Sequence, residues 1–397
     1  MRDDGEPGLP GWTIFLDTND NAMLDPGELS AVTDATGAYT ISGVGPGTYR
    51  IEEVSMDGFQ RTLFTSINVT SGMNQTGVDV GNLPELTAQI IRDPFEPDET
   101  ALMVAGSNQD DRLSVTCGKH GQLFAHINGQ QSGPFEPTGH VIMLAFEGDD
   151  QLLLARCVTL PGQLDGSDGN DTMRGARGDD MLMGGDGDDK MRGRGGDDHM
   201  EGGDGENRMR GGRGDDMLRG GADNDRMNGG RGHDMMIGME GDDVMVGGRG
   251  RDIMIGGDGA DRMIGDRRDS DSHHNGSHNQ NAGDRNGKGR HQDIVIGGTT
   301  DYDVDDEALQ AILAEWTSRQ SYKVRVANLR DGSGSTSALN QDFFLDSFTV
   351  QDDGIADRIR GGRGLDWFFA SEDGPTQDKL RGHVRTEIVD SLDEILP

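Results

Sequence analysis

Residues Gly184–Arg219 read GGDGDDKMR GRGGDDHME GGDGENRMR GGRGDDMLR, four nonapeptides laid end to end. The frame continues without a gap from Gly166 to Ile264, 99 residues in eleven copies. Position one is Gly in all eleven copies. Position four is Gly in ten, Asp223 being the exception, and position six is Asp in ten, Asn207 being the exception. Position eight is Met in nine copies and Leu in two. A flexible Gly/Asp linker has no reason to hold an apolar residue at one fixed place in nine, so the block is read as a folded repeat.

Three residues such as Lys190-Met191-Arg192 make a short strand whose middle side chain points inward and whose neighbours point out. The six residues before them make a tight turn, where glycine reaches backbone conformations closed to other residues. Two nonapeptides form one coil with a turn at each end, and the coils stack into a parallel β-roll. Stacking superposes the position-six residues of alternate copies in two columns. The odd copies contribute Asp171, Asp189, Asn207, Asp225, Asp243 and Asp261, the even copies Asp180, Asp198, Asp216, Asp234 and Asp252. Calcium takes six to eight oxygens, which stacked carboxylates and turn carbonyls supply. Without a cation each column is a ladder of like charges.

The block resembles the GGxGxDxUx repeat of RTX, or haemolysin-type, proteins. That resemblance implies Ca²⁺ at the column aspartates, a place outside the cell, and an uncleaved C-terminal type I secretion signal. The acidic, amphipathic EIVDSLDEILP (Glu387–Pro397) suits such a signal. The copy GGRGLDWFF (Gly361–Phe369) fits every position, adds Asp366 to the candidate ligands, and carries aromatics expected to close the stack. Gln292–Ile296 places Asp293 and Val295 at positions six and eight after a break. NQDDRLSV (Asn108–Val115) and EGDDQLLL (Glu147–Leu154) read as degenerate turns followed by strands, so residues 100–165 are expected to start and cap the roll. Asn207 and Asp223 fall in adjacent coils of the odd column, which predicts weaker calcium binding midway along that side. Ala176 and Arg194 stand where a second Gly is usual on the even side. The Met-rich position eight predicts a softer core than Leu would give. Both Arg-Gly-Asp triplets, Arg177-Gly178-Asp179 and Arg213-Gly214-Asp215, are positions three to five of the repeat.

Upstream, WTIFLD, AYTISGV, TYRIEEV and LFTSINV read as short strands between Gly and Pro turns, the spacing of a small β-sandwich over residues 1–85. DTNDNAMLDPGE sets Asp17, Asn19, Asn21, Asp25 and Glu28 at loop positions 1, 3, 5, 9 and 12, the ligand spacing of an EF-hand loop. Ala22 replaces the usual Gly at position 6. With Thr33–Glu53, this module resembles the B-type domains of SD-repeat surface adhesins. The resemblance implies a calcium-bound, prealbumin-like sandwich acting as a stalk. The Lys–Asn crosslink of some such domains has no partner here, since no Lys precedes Lys119. Such a domain normally begins one strand before Met1, so the chain is expected to be either the C-terminal part of a longer protein or the product of a gene read from too late a start.

The fold class expected is therefore mainly all-β: a β-sandwich, then a parallel β-roll, with a small helical insertion near the C-terminus. The helix is expected over Val304–Thr317 with Asp303 as N-cap and Leu309, Ile312, Leu313 and Trp316 on one face. A second helix is expected near Tyr322–Leu329, the pair covering the side or end of the roll. Residues 266–292 lack hydrophobic period and read as an excursion, with His273, His274, His278 and His291 solvated in a loop. A net charge of −36 from 36 basic and 72 acidic residues argues against nucleic acid and anionic membranes as partners. No apolar run reaches membrane-spanning length, and Cys117 and Cys157 are compatible with one bridge or two thiols. HExxH, GxSxG and P-loop motifs are all absent, so no catalytic site is expected. Adhesion to a surface or matrix ligand is the expected role. The alternative is the C-terminal part of a secreted hydrolase or toxin whose active domain lies upstream.

Overall fold

The computed structural model describes residues 11–17, 28–34, 38–42, 44, 47–53, 59–61, 65–69, 82–84, 86–265, 292–334, 339–340, 343–346, 349–361, 366–371, 377–380 and 388–391. The chain divides into two units, Met1–Thr87 and Ala88–Pro397. In the first, Thr13–Asp17 pairs antiparallel with Ser30–Val32 on one side and Gly47–Glu53 on the other. Gly47–Glu53 pairs in turn with Thr65–Val69, and a separate ladder joins Phe59–Arg61 to Asn82–Pro84. Trp12, Ile14, Leu16 and Ile51 make the core. The strand expected in AYTISGV does not form within Ala38–Ser42. The Asp34 carboxylate accepts from Ala38 N at 3.1 Å and closes a local turn, from which Tyr39 and Ile41 pack onto the Trp12 core.

The second unit is the parallel β-solenoid. A twelve-stranded and an eleven-stranded sheet face one another, and successive nonapeptides alternate between them. In the first sheet, Met181, Leu182 and Met183 align with His199, Met200 and Glu201 one coil later. In the second, Lys190, Met191 and Arg192 align with Arg208, Met209 and Arg210. Every position-eight side chain from Met173 to Met263 lies inside, at most 3% exposed. The pattern continues beyond the repeats: Ile294–Ile296 extends the first sheet after Ile253–Asp258, and Arg358–Arg360 the second after Arg262–Ile264. The aromatic copy does not end the stack as expected. Ile388–Ser391 pairs in parallel beyond Trp367–Ala370, because that strand's outer edge still offers unpaired backbone groups.

At the other end, Val141–Leu144 and Thr100–Ala105 precede Gly162–Asp168 in the first sheet. In the second, Gln151–Leu154 pairs with Arg112–Cys117, which turns antiparallel through Leu123–Ile127 to Gln130–Phe135. Leu102, Leu113, Val115, Val141 and Leu152 fill this end. Cys117 and Cys157 form a disulfide.

A second core lies outside the first sheet. Met217, Met235, Ile237, Ile253, Ile255, Ile294, Ile296, Trp367 and Phe369 occupy outward positions there and bury against helices α1 (Asp306–Thr317) and α2 (Tyr322–Asp331). The helices thus cover the side of the roll. The N-cap of α1 is Asp305, whose carboxylate accepts from Ala308 N at 3.0 Å. Asp303 instead takes the Thr300 backbone N–H at 3.0 Å, which holds it outside the helix. Trp316 anchors the layer, its Nε1 donating to Gln292 O at 2.8 Å while the Arg325 guanidinium lies 4.9 Å above the ring.

Candidate metal sites in the turns

The turn geometry begins with glycine. At position four, Gly187 takes φ +127°, and a Cβ there would overlap the Gly169 carbonyl of the coil below. Asp223 at position four and Arg194 at position two also adopt positive φ without glycine, at 66° and 87°. At position one, a Cβ on Gly184 would overlap Oδ2 of Asp189, so glycine there admits the carboxylate into the turn.

Each position-six side chain then splits its two atoms between two tasks. Oδ1 accepts the backbone N–H of the equivalent residue one coil earlier. Along the even side, Asp180 N donates to Asp198, Asp198 N to Asp216, Asp216 N to Asp234, Asp234 N to Asp252, all at 3.0–3.1 Å. Along the odd side, Asp171 N donates to Asp189, Asn207 N to Asp225, Asp225 N to Asp243 and Asp243 N to Asp261, at 2.7–2.8 Å. These ladders extend past the repeats. Asp111 and Asp150 precede Asp171, while Asp357 and Asp378 follow Asp261. Asp293 and Asp366 follow Asp252.

The second oxygen has no such partner. Oδ2 of Asp171, Asp189, Asp198, Asp234, Asp243, Asp261 and Asp366 is buried and receives no hydrogen bond. Asn207 shows what faces that atom. Its Nδ2 stands in the Oδ2 place and donates to the Gly205 and Gly203 carbonyls, at 3.1 and 3.4 Å. A buried carboxylate oxygen without a hydrogen bond is costly, and a cation or a proton relieves it. Burial accordingly raises these carboxyls: Asp171 and Asp180 to about 6, Asp189, Asp216 and Asp225 to about 7, Asp198, Asp243 and Asp261 to about 8, and Asp234 to about 9. Neighbouring aspartates add to the rise at Asp198, Asp234 and Asp243.

The free carboxylate oxygen is a hard donor, and the turn carbonyls that Asn207 Nδ2 reaches show which further oxygens the repeat can offer a cation that takes many oxygens in flexible geometry. Among the described residues, no three His, Cys, Asp or Glu side chains gather as a metal cluster. The first even turn differs. Asp180 Oδ2 accepts from Ala176 N at 2.6 Å, and Arg194 Nη1 donates to the Gly175 and Leu154 carbonyls at 2.7 and 2.8 Å. A guanidinium thus already supplies positive charge there.

Sequence reasoning placed Asp171, Asp180, Asp189, Asp198, Asp216, Asp225, Asp234, Asp243, Asp252, Asp261 and Asp366 in the columns, and the structure brings them together there. It left Asp111, Asp150, Asp357 and Asp378 out of the ligand set. The signal for Asp357 was local: Ala356-Asp357-Arg358-Ile359-Arg360 repeats the pattern of Ala260-Asp261-Arg262-Met263-Ile264. In the first unit, Asp17 ends one strand and Glu28 lies two residues before the next; Leu16 N bonds Leu29 O at 2.9 Å across their base. Antiparallel strands flank this segment where an EF-hand has helices; Asn19, Asn21 and Asp25 lie outside the described residues, as do His273, His274, His278 and His291.

A family model described as the RTX calcium-binding nonapeptide repeat matches residues 165–200, 201–236 and 237–267. These segments cover every copy from Gly166 to Ile264. The search of curated proteins finds no match. The chain therefore carries RTX repeats, and calcium is the ligand of such repeats.

Proposed function

We propose that this protein is an extracellular structural or adhesive component whose roll folds on calcium and which has no catalytic site of its own. The observation that carries this reading is the column of buried Oδ2 atoms that receive no hydrogen bond. Extracellular calcium modules bind at roughly 10⁻⁴–10⁻³ M. At tenfold excess over that constant each site adds about 1.4 kcal/mol to the folded state, and several in series shift the whole equilibrium. In a cell interior poor in free calcium the chain stays loose and suited to export; outside, it closes. Export by a type I system accords with the resemblance to RTX proteins. The antiparallel strands of the first unit accord with a spacer like the B-type adhesin domains.

Limited trypsin digestion tests the switch, because Lys and Arg recur through the repeats. Resistance of the 166–264 block in millimolar calcium, with rapid cleavage in chelator, is expected. Identical digestion in both contradicts the proposal. Binding of the calcium-loaded chain to whole cells, lost in chelator, tests the adhesive role; equal retention in chelator counts against it.

A further inference from the structure

The outward positions of a β-roll strand, seven and nine, face away from both core and calcium. In the second sheet they hold Arg174, Lys190, Arg192, Arg208, Arg210 and Arg226, all exposed. The register aligns Arg174 with Arg192, Lys190 with Arg208, Arg192 with Arg210 and Arg208 with Arg226. Adjacent strands lie about 4.8 Å apart, so like charges stand directly opposite, an arrangement that destabilises a sheet. Folding does not demand them, since Thr172, Asn228, Val244 and Val246 fill equivalent positions. No Asp or Glu occupies these positions between Gln151 and Ile264. Glu206 reaches Arg226 from a flanking turn at 3.8 Å, leaving both side chains half-exposed. The rows border a shallow groove of about 270 Å³. The protein thus gathers cations on one face while its net charge is −36.

We propose that this face docks a linear acidic polysaccharide, its carboxylates held by the guanidinium forks along the stack. Charge complementarity selects a polyanion, and the acidic turn edges beside the face select a narrow one. A duplex, with a charge every 1.7 Å or so, would carry phosphates over those edges. Single-stranded nucleic acid would lack stacking partners, because the positions named carry no aromatic ring. The inference goes beyond calcium-driven folding and concerns residues that take no part in it.

The test uses the full chain in calcium, with polygalacturonate fragments too short to gel as probe. Neutral dextran and a single-stranded oligonucleotide serve as comparisons, and isothermal titration as readout. Binding to polygalacturonate alone, weakening as salt rises, is expected. Arg192→Glu with Arg210→Glu should lower affinity at least about tenfold while leaving the calcium-induced circular dichroism intact. If charge reversal prevents folding, Arg192→Gln with Arg210→Gln takes its place. Binding to dextran, tighter binding to the oligonucleotide, no binding, or unchanged affinity in a folded variant each overturns the proposal.

Discussion

A position-six aspartate spends Oδ1 on the backbone of the preceding coil and leaves Oδ2 for a cation. Asn207 keeps the first role and loses the second, because its amide donates to the turn carbonyls itself. Replacing Asn207→Asp should therefore add one bound calcium per chain, counted by flow dialysis; an unchanged count contradicts this division of labour. Asp198→Ala removes both roles and strands the Asp180 N–H, a loss of about 1–3 kcal/mol beyond the lost site. It should raise the calcium midpoint of folding; an unmoved midpoint would show that Asp198 binds no ion. Metal-free behaviour follows from the raised carboxyls. Unfolded aspartates titrate near 3.9 or so, whereas Asp171 does so at about 6 and Asp234 at about 9 when folded. Folding without calcium thus takes up protons. The stability these groups contribute is complete below the unfolded value and falls as pH rises above it, being gone by about 6 for Asp171 and about 9 for Asp234. Acidification should partly restore β-structure in chelator, seen by circular dichroism, while calcium affinity should rise with pH. The opposite trend in chelator would exclude protons as stand-ins for calcium.

At the scale of elements, the first coils and the later coils of the roll are held by different means. The Cys117–Cys157 disulfide closes a sequence separation of 40 residues beside the first coils. Chain-entropy reasoning assigns such a loop about 4 kcal/mol. Cys157→Ser should lower stability in calcium by that order in a denaturant titration, and an unchanged midpoint would show the bridge to be dispensable. Along the side of the later coils, Trp316 of α1 is fully buried between the helices and the first sheet. The repeat frame was legible in the sequence because one residue type recurs at every ninth place. The helical layer was legible only in part. The periodicity of Leu309, Ile312 and Trp316 marked α1, but its docking side depended on outward residues of even copies turning apolar from Met217 onward. Those positions show no motif, only a gradual change along the stack. The cap at Asp305 was missed because two nearby aspartates compete, and Thr300 decides between them.

Across the whole molecule, the ladders run from Asp111 to Asp378, well beyond the eleven uninterrupted copies. Sequence reading placed Asp111 and Asp150 in degenerate turns but gave them no ligand role, and passed over Asp357 and Asp378, because the intervals vary: 39 residues separate Asp111 from Asp150, and 96 separate Asp261 from Asp357. Stacking depends on where a strand lands rather than on how long the chain takes to return. The second unit thus carries columns of buried carboxylates, and in a chain with only 32% apolar residues its cohesion is expected to depend on cations. Far-UV circular dichroism of the chain titrated with Ca²⁺, with Mg²⁺ as control, tests that account most directly. A cooperative rise in β signal at submillimolar to millimolar Ca²⁺, absent with Mg²⁺, is predicted. A spectrum indifferent to Ca²⁺, or equally responsive to Mg²⁺, would contradict it.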